Sequence, residues 1–454
     1  MNKDIERAVA DLRARAGRYT KATRYYNGDH DLAFATEKFQ STFGSLFREF
    51  AMNLCPVICD AVRDKLRVTG FSVDAGNAGG LSANGEPQAG SLRTDTRMIW
   101  HRNRMGTRAG ELHKEVLKCG DAYMFVWPNA AGEAVLYPNR AENVAVFKDE
   151  DEPGRVLWAA KAWAVKDKHT RLNLYYPDRI EKYVSRSESQ VALLDGKDLV
   201  PAEAQNGSPQ GAFARKPSSL RHVVPNPYGV VPVFHFANNA DLGGEGRSEL
   251  EAAFAVQDGL NKSVLDMLVA MEYSAFRQRW VAGIEVKRDK DGTAIPPYTS
   301  GVDKLWVSES KDTTFGDFEA AQLDQFLKVK DSFRIDMASV TGTPLHYFLQ
   351  TTGGFPSGES LKKAETRFLA KVRDRQESFG QVWADVMAFA LRVEGASEAS
   401  LITEWEDPAP MAEREFLENI LLKKQIGLPV EQALIEAGYG EADVKGMVAE
   451  SGVE

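Results

Sequence analysis

The strongest constraint on this chain is a pair of long segments with helical apolar spacing, held apart by a short interruption. Gly243-Gly244-Glu245-Gly246-Arg247-Ser248 leads into the first of them. Ser248, with Glu251 three residues later, has the spacing of a capping box and predicts a helix start at that point. Leu250, Phe254, Leu260, Val264, Leu268 and Met271 follow at i, i+3, i+4 spacing, with Asp258, Asn261, Lys262 and Asp266 between them. The expected helix is roughly 30 residues long, or ~45 Å at 1.5 Å per residue. A module containing Trp280, a turn at Lys287–Gly292 and the pair Pro296-Pro297 interrupts the pattern. A second run carries Leu323, Phe326, Leu327, Phe333, Met337 and Val340 and stops at Gly342, with Pro344 just beyond. Two long helices joined by a small β-like excursion form a hairpin whose tip stands far from its base.

Upstream of the hairpin the pattern changes twice. Lys3–Tyr26 reads as a helix ended by Asn27-Gly28, and Lys38–Phe50 as a linker rich in Phe. Asn53–Leu66 reads as a buried helix with Pro56 in its first turn; Val68–Phe71 then reads as a turn, and 76–90 as a Gly/Asn/Ala-rich loop. One helix is expected over Asp95–Lys118, ended by Gly120. From Ala122 to Val184 six short β-rich runs, joined by tight links such as Ala131-Gly132 and the acidic Asp149–Gly154, predict an antiparallel meander. Residues 185–220 read as a polar excursion, and His222–Asn239 as strand broken by Pro225, Pro227 and Pro232. Beyond the hairpin, Leu345–Gly358 is a break containing Gly353-Gly354. A long helix runs from Glu359 to about Val393, Trp405–Pro410 is a linker, and two short helices close the chain.

The catalytic search returns little. Gly243–Ser248 has glycines at a helix start, as a phosphate cradle does, but it lacks the Lys-Ser/Thr ending, and an ordinary turn into the helix is the expectation. Cys55 and Cys59 lie i, i+4 with no His nearby, so they read as small buried hydrophobes rather than metal ligands. The seven His are scattered without zincin or hydrolase spacing, and Asp149–Glu152 lacks the rest of a calcium loop. Lys362, Lys363, Arg367, Lys371, Arg373 and Arg375 are offset by Glu359, Glu365, Asp374 and Glu377, which predicts a solvated, ion-paired face. No catalytic residue, cofactor or metal is expected. The net charge of −9 disfavours a protein that grips nucleic acid, and no apolar run is long enough to span a membrane. Three cysteines cannot all pair, which suits a reducing compartment.

Several of these stretches, in this order, resemble the portal, or head-to-tail connector, proteins of tailed bacteriophages, particularly the long-tailed actinobacterial phages. The likeness rests on Tyr25-Tyr26-Asn27-Gly28-Asp29-His30, on Asn53–Phe71, on Gly246-Arg247-Ser248-Glu249 and on Gln257-Asp258-Gly259-Leu260-Asn261. Arg279-Trp280-Val281 and Thr341-Gly342-Thr343-Pro344 continue it.

The resemblance implies an α+β portal fold with long stem helices, an antiparallel β-rich wing, a small α/β clip and a helical C-terminal crown. On this chain the wing would be 1–242, the stem 243–275 and 320–342, the clip 276–319 and the tunnel loop 343–358; 359–406 would form a long wing helix and 407–454 the crown. Stem packing would involve Leu260, Val264, Leu268, Phe326, Phe333 and Met337, and the clip interface Trp280, Pro296, Pro297 and Trp306. The loop facing DNA would be Gln350, Thr351, Thr352, Gly353, Gly354, Phe355 and Pro356. Such proteins form a homo-oligomeric ring, typically a dodecamer, at one capsid vertex, through which double-stranded DNA passes non-specifically. Implied partners are the major capsid and scaffolding proteins, the terminase large subunit that consumes ATP, and the head-completion or neck proteins. The implied place is the virion, with assembly in the host cytoplasm and no membrane. A minor capsid or tail protein is the competing structural reading, separable by ring stoichiometry. An enzyme would need a convergent polar pocket that no spacing here supports.

Overall fold

A computed structural model of the protein describes residues 3–31, 51–73, 89–152, 154–165, 169–202, 222–242, 244–275, 279–283, 288–291, 307, 312–317, 323–349, 358–396, 400–409, 413–436 and 444. The chain divides into two units, Met1–Trp405 and Glu406–Glu454. Among the described residues the second unit shows the helices Glu413–Gln425 and Val430–Glu436 on either side of Gly427, whose φ is +98°. The first contains everything below.

Helix α1 (Lys3–Tyr26) lays Ile5, Ala8, Val9 and Leu12 on one face of a sheet. Four helices follow in chain order before or around the hairpin: α2 (Cys55–Arg63), α3 (Ala89–Arg102), α4 (Met105–Cys119) and α5 (Phe254–Ala275). Then come α6 (Leu323–Thr341) and the long α7 (Gly358–Val393). The strands are β1 (Val68–Val73), β2 (Asp121–Pro128), β3 (Ala134–Arg140), β4 (Val144–Lys148), β5 (Val156–Ala164), β6 (His169–Tyr175) and β7 (Arg179–Glu188). They continue with β8 (Leu199–Pro201), β9 (Val223–Pro225), β10 (Val233–Ala237), β11 (Arg279–Ala282), β12 (Thr314–Asp317) and β13 (Leu401–Trp405).

The expected meander is real from β4 to β7, in spatial order and antiparallel throughout, and β8, from the stretch read as a polar excursion, and β9 both add against β7. Its first two runs belong elsewhere: β2 and β3 pair with β10 in a separate sheet. The small residues of β5 explain how the two sheets meet. Trp158, Ala160 and Ala162 alternate toward α1, whereas Ala159 faces Tyr123, Phe125 and Val233 of the other sheet. A strand buried on both faces has room for little more than Ala along most of its length.

Three local expectations fail, each for a long-range reason. Val68–Phe71 is not a turn but part of β1, which pairs antiparallel with β13 over 300 residues away, Phe71 facing Thr403. The single helix over Asp95–Lys118 is broken at Asn103-Arg104. The buried Asn103 side chain donates to the Ile99 and Ala134 carbonyls and accepts from Leu136 N–H, and Arg104 takes a left-handed φ of 54°. Binding β3 in this way costs α3 its continuation. Finally, the capping box at Ser248 does not form: Ser248 Oγ donates to the distant Lys118 carbonyl and accepts from Leu250 N–H, and Glu251 opens a short 3-10 turn. The first long helix therefore has 22 residues, α5, rather than roughly 30.

The main core joins α2, α3, α4, β2, β10 and α7 around Trp383, which is fully buried. Its ring meets Trp100, Phe236 and His113 edge-on, and its Nε1 donates to His113 Nε2 at 2.9 Å. Burial, offset only in part by the Leu66 backbone, lowers the His113 pKa to about 4. The unfolded chain, with an ordinary His near 6.5, therefore takes up a proton between pH 6.5 and 4 that the folded chain refuses. Stability contributed by this site is full above pH 6.5 and falls by about 1.4 kcal/mol per unit below it, or about 3 kcal/mol by pH 4. We expect the stability gap between wild type and His113→Gln to shrink by that amount over this range in urea unfolding. A gap that does not change with pH would show that His113 is not the proton-refusing group.

Candidate functional site

The candidate site is the hairpin of α5 and α6, fastened to the body at its root and leaving apolar side chains exposed along its outer half. The chain reaches α5 through 244–250, a stretch threaded against the end of α4. Arg247 N–H donates to Asn238 O at 2.7 Å, Glu249 N–H to Leu117 O at 2.9 Å, and Asn238 N–H to Gly120 O at 2.8 Å. A Cβ on Gly246 would stand 1.9 Å from Gly120 O, and one on Gly120, whose φ is +93°, would stand 2.5 Å from Gly246 O. Only glycine fits at either position. The amides here are consumed by protein acceptors, Gly246 N–H going to Asp121 Oδ1 at 2.8 Å, so the stretch is no phosphate cradle.

Two buried carboxylates fasten this root. Asp121 also accepts from Tyr19 Oη at 2.8 Å, Arg18 Nη2 at 2.6 Å and His235 Nε2 at 2.7 Å. Glu249 meets Lys371 Nζ at 2.5 Å, Arg375 Nη2 at 3.1 Å and Asn238 Nδ2 at 3.1 Å. Burial alone would raise both pKa values. His235, Gly246 and Tyr19 overcome that for Asp121, and Lys371 and Arg375 for Glu249, so both carboxyls titrate below the usual range. Arg375 is thus a buried tie between α7 and the hairpin root, not the solvated charge its neighbours predicted.

The first turns of α5 carry buried polar residues that face a neighbouring backbone. Gln257 Oε1 accepts from Leu54 N–H at 3.0 Å and its Nε2 donates to Met52 O at 2.6 Å. Asn261, one turn on, accepts from Met52 N–H at 2.9 Å and donates to His30 Nδ1 at 3.0 Å. Side-chain amides at i and i+4 thereby offer the chain at 52–54 the donors and acceptors that an adjacent strand would. His30 Nε2–H donates to Tyr25 O at 3.1 Å, and Tyr25 Oη donates to the Asp258 carboxylate, 2.8 Å from each oxygen. Burial lowers the His30 pKa and raises that of Asp258, leaving the imidazole neutral. The Tyr25–His30, Asn53 and Gln257–Asn261 stretches, far apart in sequence, form one joint.

Beyond the joint the hairpin is held by close packing of its own two helices. Gly259 lets Phe333 approach so far that a Cβ would sit 2.8 Å from its ring. Leu260 and Met337 are fully buried, and Val264, Leu268, Phe326 and Phe333 half-buried. Leu265, which the spacing analysis missed, is buried too. On the outward side Met271 is 45%, Leu327 47% and Ile335 51% exposed. Trp280, 40% exposed on β11, lies over Gly316 of β12, where any Cβ would meet the indole. Pro296, Pro297, Trp306 and Gln350–Pro356 lie outside the described residues. Among the described residues no group of three or more His, Cys, Asp or Glu is arranged to hold a metal. Cys55 and Cys119 are buried, with thiols pushed up to about 12, and complete burial raises the Cys59 thiol as well.

Comparison with known proteins gives consistent matches. The family model described as phage portal protein, SPP1 Gp6-like, matches residues 86–449. A portal protein of Mycobacterium phage L5 is 26% identical over 229 residues, 48% of this chain and 47% of that protein. One from Mycobacterium phage D29 is 25% identical over 232 residues, 48% of each. The chain spans about half the length of the curated relatives it matches. Among solved structures, the neck of a native gene transfer agent particle computed with C12 symmetry has a TM-score of 0.46 at 12% identity, covering 88% of this chain and 93% of that one. The virion of the same kind of particle gives a TM-score of 0.44 at 12% identity, covering 76% and 84%.

Proposed function

The chain belongs to the SPP1 Gp6-like family of phage portal proteins, and from that premise we propose that it forms a ring of about a dozen copies at one capsid vertex, closed by a heterologous contact between neighbours. In this reading the α5–α6 hairpin is the stem and the β11–β12 module part of the clip. Double-stranded DNA enters and leaves through the axis. The observation that carries the reading, beyond family membership, is a hairpin fastened at its root yet presenting Met271, Leu327 and Ile335 outward, where a neighbouring copy can cover them. The net charge of −9 supports passage over retention, because every phosphate neutralised by protein adds salt-dependent affinity and hence friction.

The same reading assigns this protein a structural role without catalysis of its own. ATP is consumed by a separate terminase motor that docks on the clip, and head-completion or neck proteins later take its place. The ring sits with the major capsid and scaffolding proteins in the virion after assembly in the host cytoplasm. The loop Gln350–Pro356 faces the DNA, with Gly353 and Gly354 giving it freedom to yield.

One experiment tests ring and loop together: mass photometry of the purified chain, and DNA packaging by procapsids formed on coexpression with the capsid protein. Closed rings of about a dozen subunits are expected. The Gly353→Pro/Gly354→Pro variant should form the same rings and package poorly. A chain that is monomeric at all concentrations and absent from procapsids would refute the ring; normal packaging by the Pro variant would remove the loop's role.

A further inference from the structure

Between β1 and α3 lies a cleft of about 500 Å³ whose lining, among the described residues, includes no carboxylate. Arg93, Arg97 and His101 occur at i, i+4 and i+8 on α3, so they follow one another along one side of the helix, with Trp100 and Phe71 packed edge-on at 5.5 Å between ring centroids. Arg93 has one exposed partner, Glu404, at 3.4 Å; Arg97 and His101 carry no ion pair among the described residues. Other basic cavities of the chain are neutralised from within: Arg375 shares its cavity with Glu249, Arg18 with Asp241 and Glu245, and Arg102 with Glu133. Among the described residues this basic, partly aromatic cleft is balanced at Arg93 by Glu404, which also lies against Gly70, and not at Arg97 or His101, which is unusual on a chain of net charge −9.

The complementary feature is on the same chain. The β4–β5 turn carries Asp149, Glu150, Asp151 and Glu152, opposed only by Arg155, and the side chains of Glu150 and Asp151 are exposed and unpaired among the described residues. An Asx turn, Asp151 N–H donating to Asp149 Oδ1 at 3.0 Å, shapes it. Strands β4 and β5 pack on α1, whereas the cleft sits on the core around Trp383, so turn and cleft belong to different cores of one unit. A knob on one core and a socket on another, of opposite charge, is the arrangement a head-to-tail contact needs.

We propose that the Arg93–Arg97–His101 cleft is the socket for the acidic β4–β5 turn of a neighbouring copy, and so sets which face of one subunit meets the next. This rests on the ring proposed above. It adds a charged, salt-sensitive contact between wings to the apolar contact between hairpins.

The test is a charge exchange read by mass photometry at low salt. Arg93→Glu/Arg97→Glu and, separately, Glu150→Lys/Asp151→Lys should each raise the concentration for half-assembly about fivefold or more, the equivalent of weak exposed pairs, with melting temperatures unchanged. Combining all four substitutions should bring assembly back to within about twofold of wild type. Arg97→Cys with Glu150→Cys should yield a ladder of disulfide-linked oligomers on oxidation, since Cys55, Cys59 and Cys119 are buried. Wild-type rings that ignore either reversal, no recovery in the combined variant, or no ladder would overturn the pairing while leaving the ring intact. Weakened assembly on reversing the cleft with none on reversing the turn would mean that a different segment of the neighbouring copy fills the socket, and would equally overturn the pairing. Absence of rings from the wild type would instead refute the ring itself.

Discussion

Gly246→Ala is expected to leave no stably folded chain. The added methyl would sit 1.9 Å from Gly120 O and 2.7 Å from Asn238 N, both main-chain atoms of rigid elements. Relief by movement breaks the bonds that define the root: Asn238 N–H to Gly120 O, Arg247 N–H to Asn238 O, and Gly246 N–H to the buried Asp121. Three hydrogen bonds at about 1 kcal/mol each, one of them to a charged acceptor, plus overpacking of about 1–3 kcal/mol, give a loss of about 5 kcal/mol. A loss of that size is comparable with the whole stability of many domains. Gly110→Ala is the control, because nothing lies within 4 Å of the new methyl and the site is inside α4, where Ala is favoured over Gly by about 1 kcal/mol. Soluble Gly246→Ala protein with a urea midpoint close to wild type would contradict this account of the root.

The second large effect concerns assembly rather than folding. Leu327→Asp with Ile335→Asp should abolish rings while leaving the monomer's melting temperature within a few degrees, because both side chains are about half exposed in the isolated chain. If a neighbour covers them, each contributes about 1–2 kcal/mol of apolar burial, and a carboxylate in its place must also be desolvated. The combined loss exceeds a hundredfold in the affinity of one contact, and a closed ring repeats it at every interface. Mass photometry reads the outcome directly, and rings formed at the wild-type concentration would mean these positions face solvent or the channel instead.

What could be seen in the sequence was what short-range periodicity encodes. The apolar rhythm of 323–340 located α6 and its Gly342 stop, where φ is indeed +65°, because helix spacing and a left-handed terminator are local properties. The same rhythm named Val264 and missed Leu265: α5 is apolar most of the way round, and which flank is buried depends on Phe333 approaching over Gly259. Gly246 was visible as a glycine, but nothing near it in sequence says that Gly120 passes 126 residues earlier at backbone contact. The β1–β13 pair and the Trp383–His113 bond are invisible for the same reason. The buried tie from Glu249 to Lys371 and Arg375 was masked differently, since those basic residues alternate with acidic ones and imitate a solvated face. Tyr25, His30, Gln257, Asp258 and Asn261 carry the family likeness in the sequence, and their common joint emerges only from the fold.

The way the hairpin is rooted also has a mechanical side. The acceptors Asn238 O, Leu117 O and Asp121 all hold a stretch of four residues, Gly246–Glu249, while Glu249 ties the same stretch sideways to α7. A pull on the hairpin therefore loads these bonds in parallel, and they must yield together rather than one after another. Among the described residues the outer half has no comparable anchorage beyond the packing of its own two helices. The hairpin behaves as a cantilever: stiff where it leaves the body, compliant toward its end. Strain imposed at the far end is dissipated along α5 and α6 before it reaches the core around Trp383.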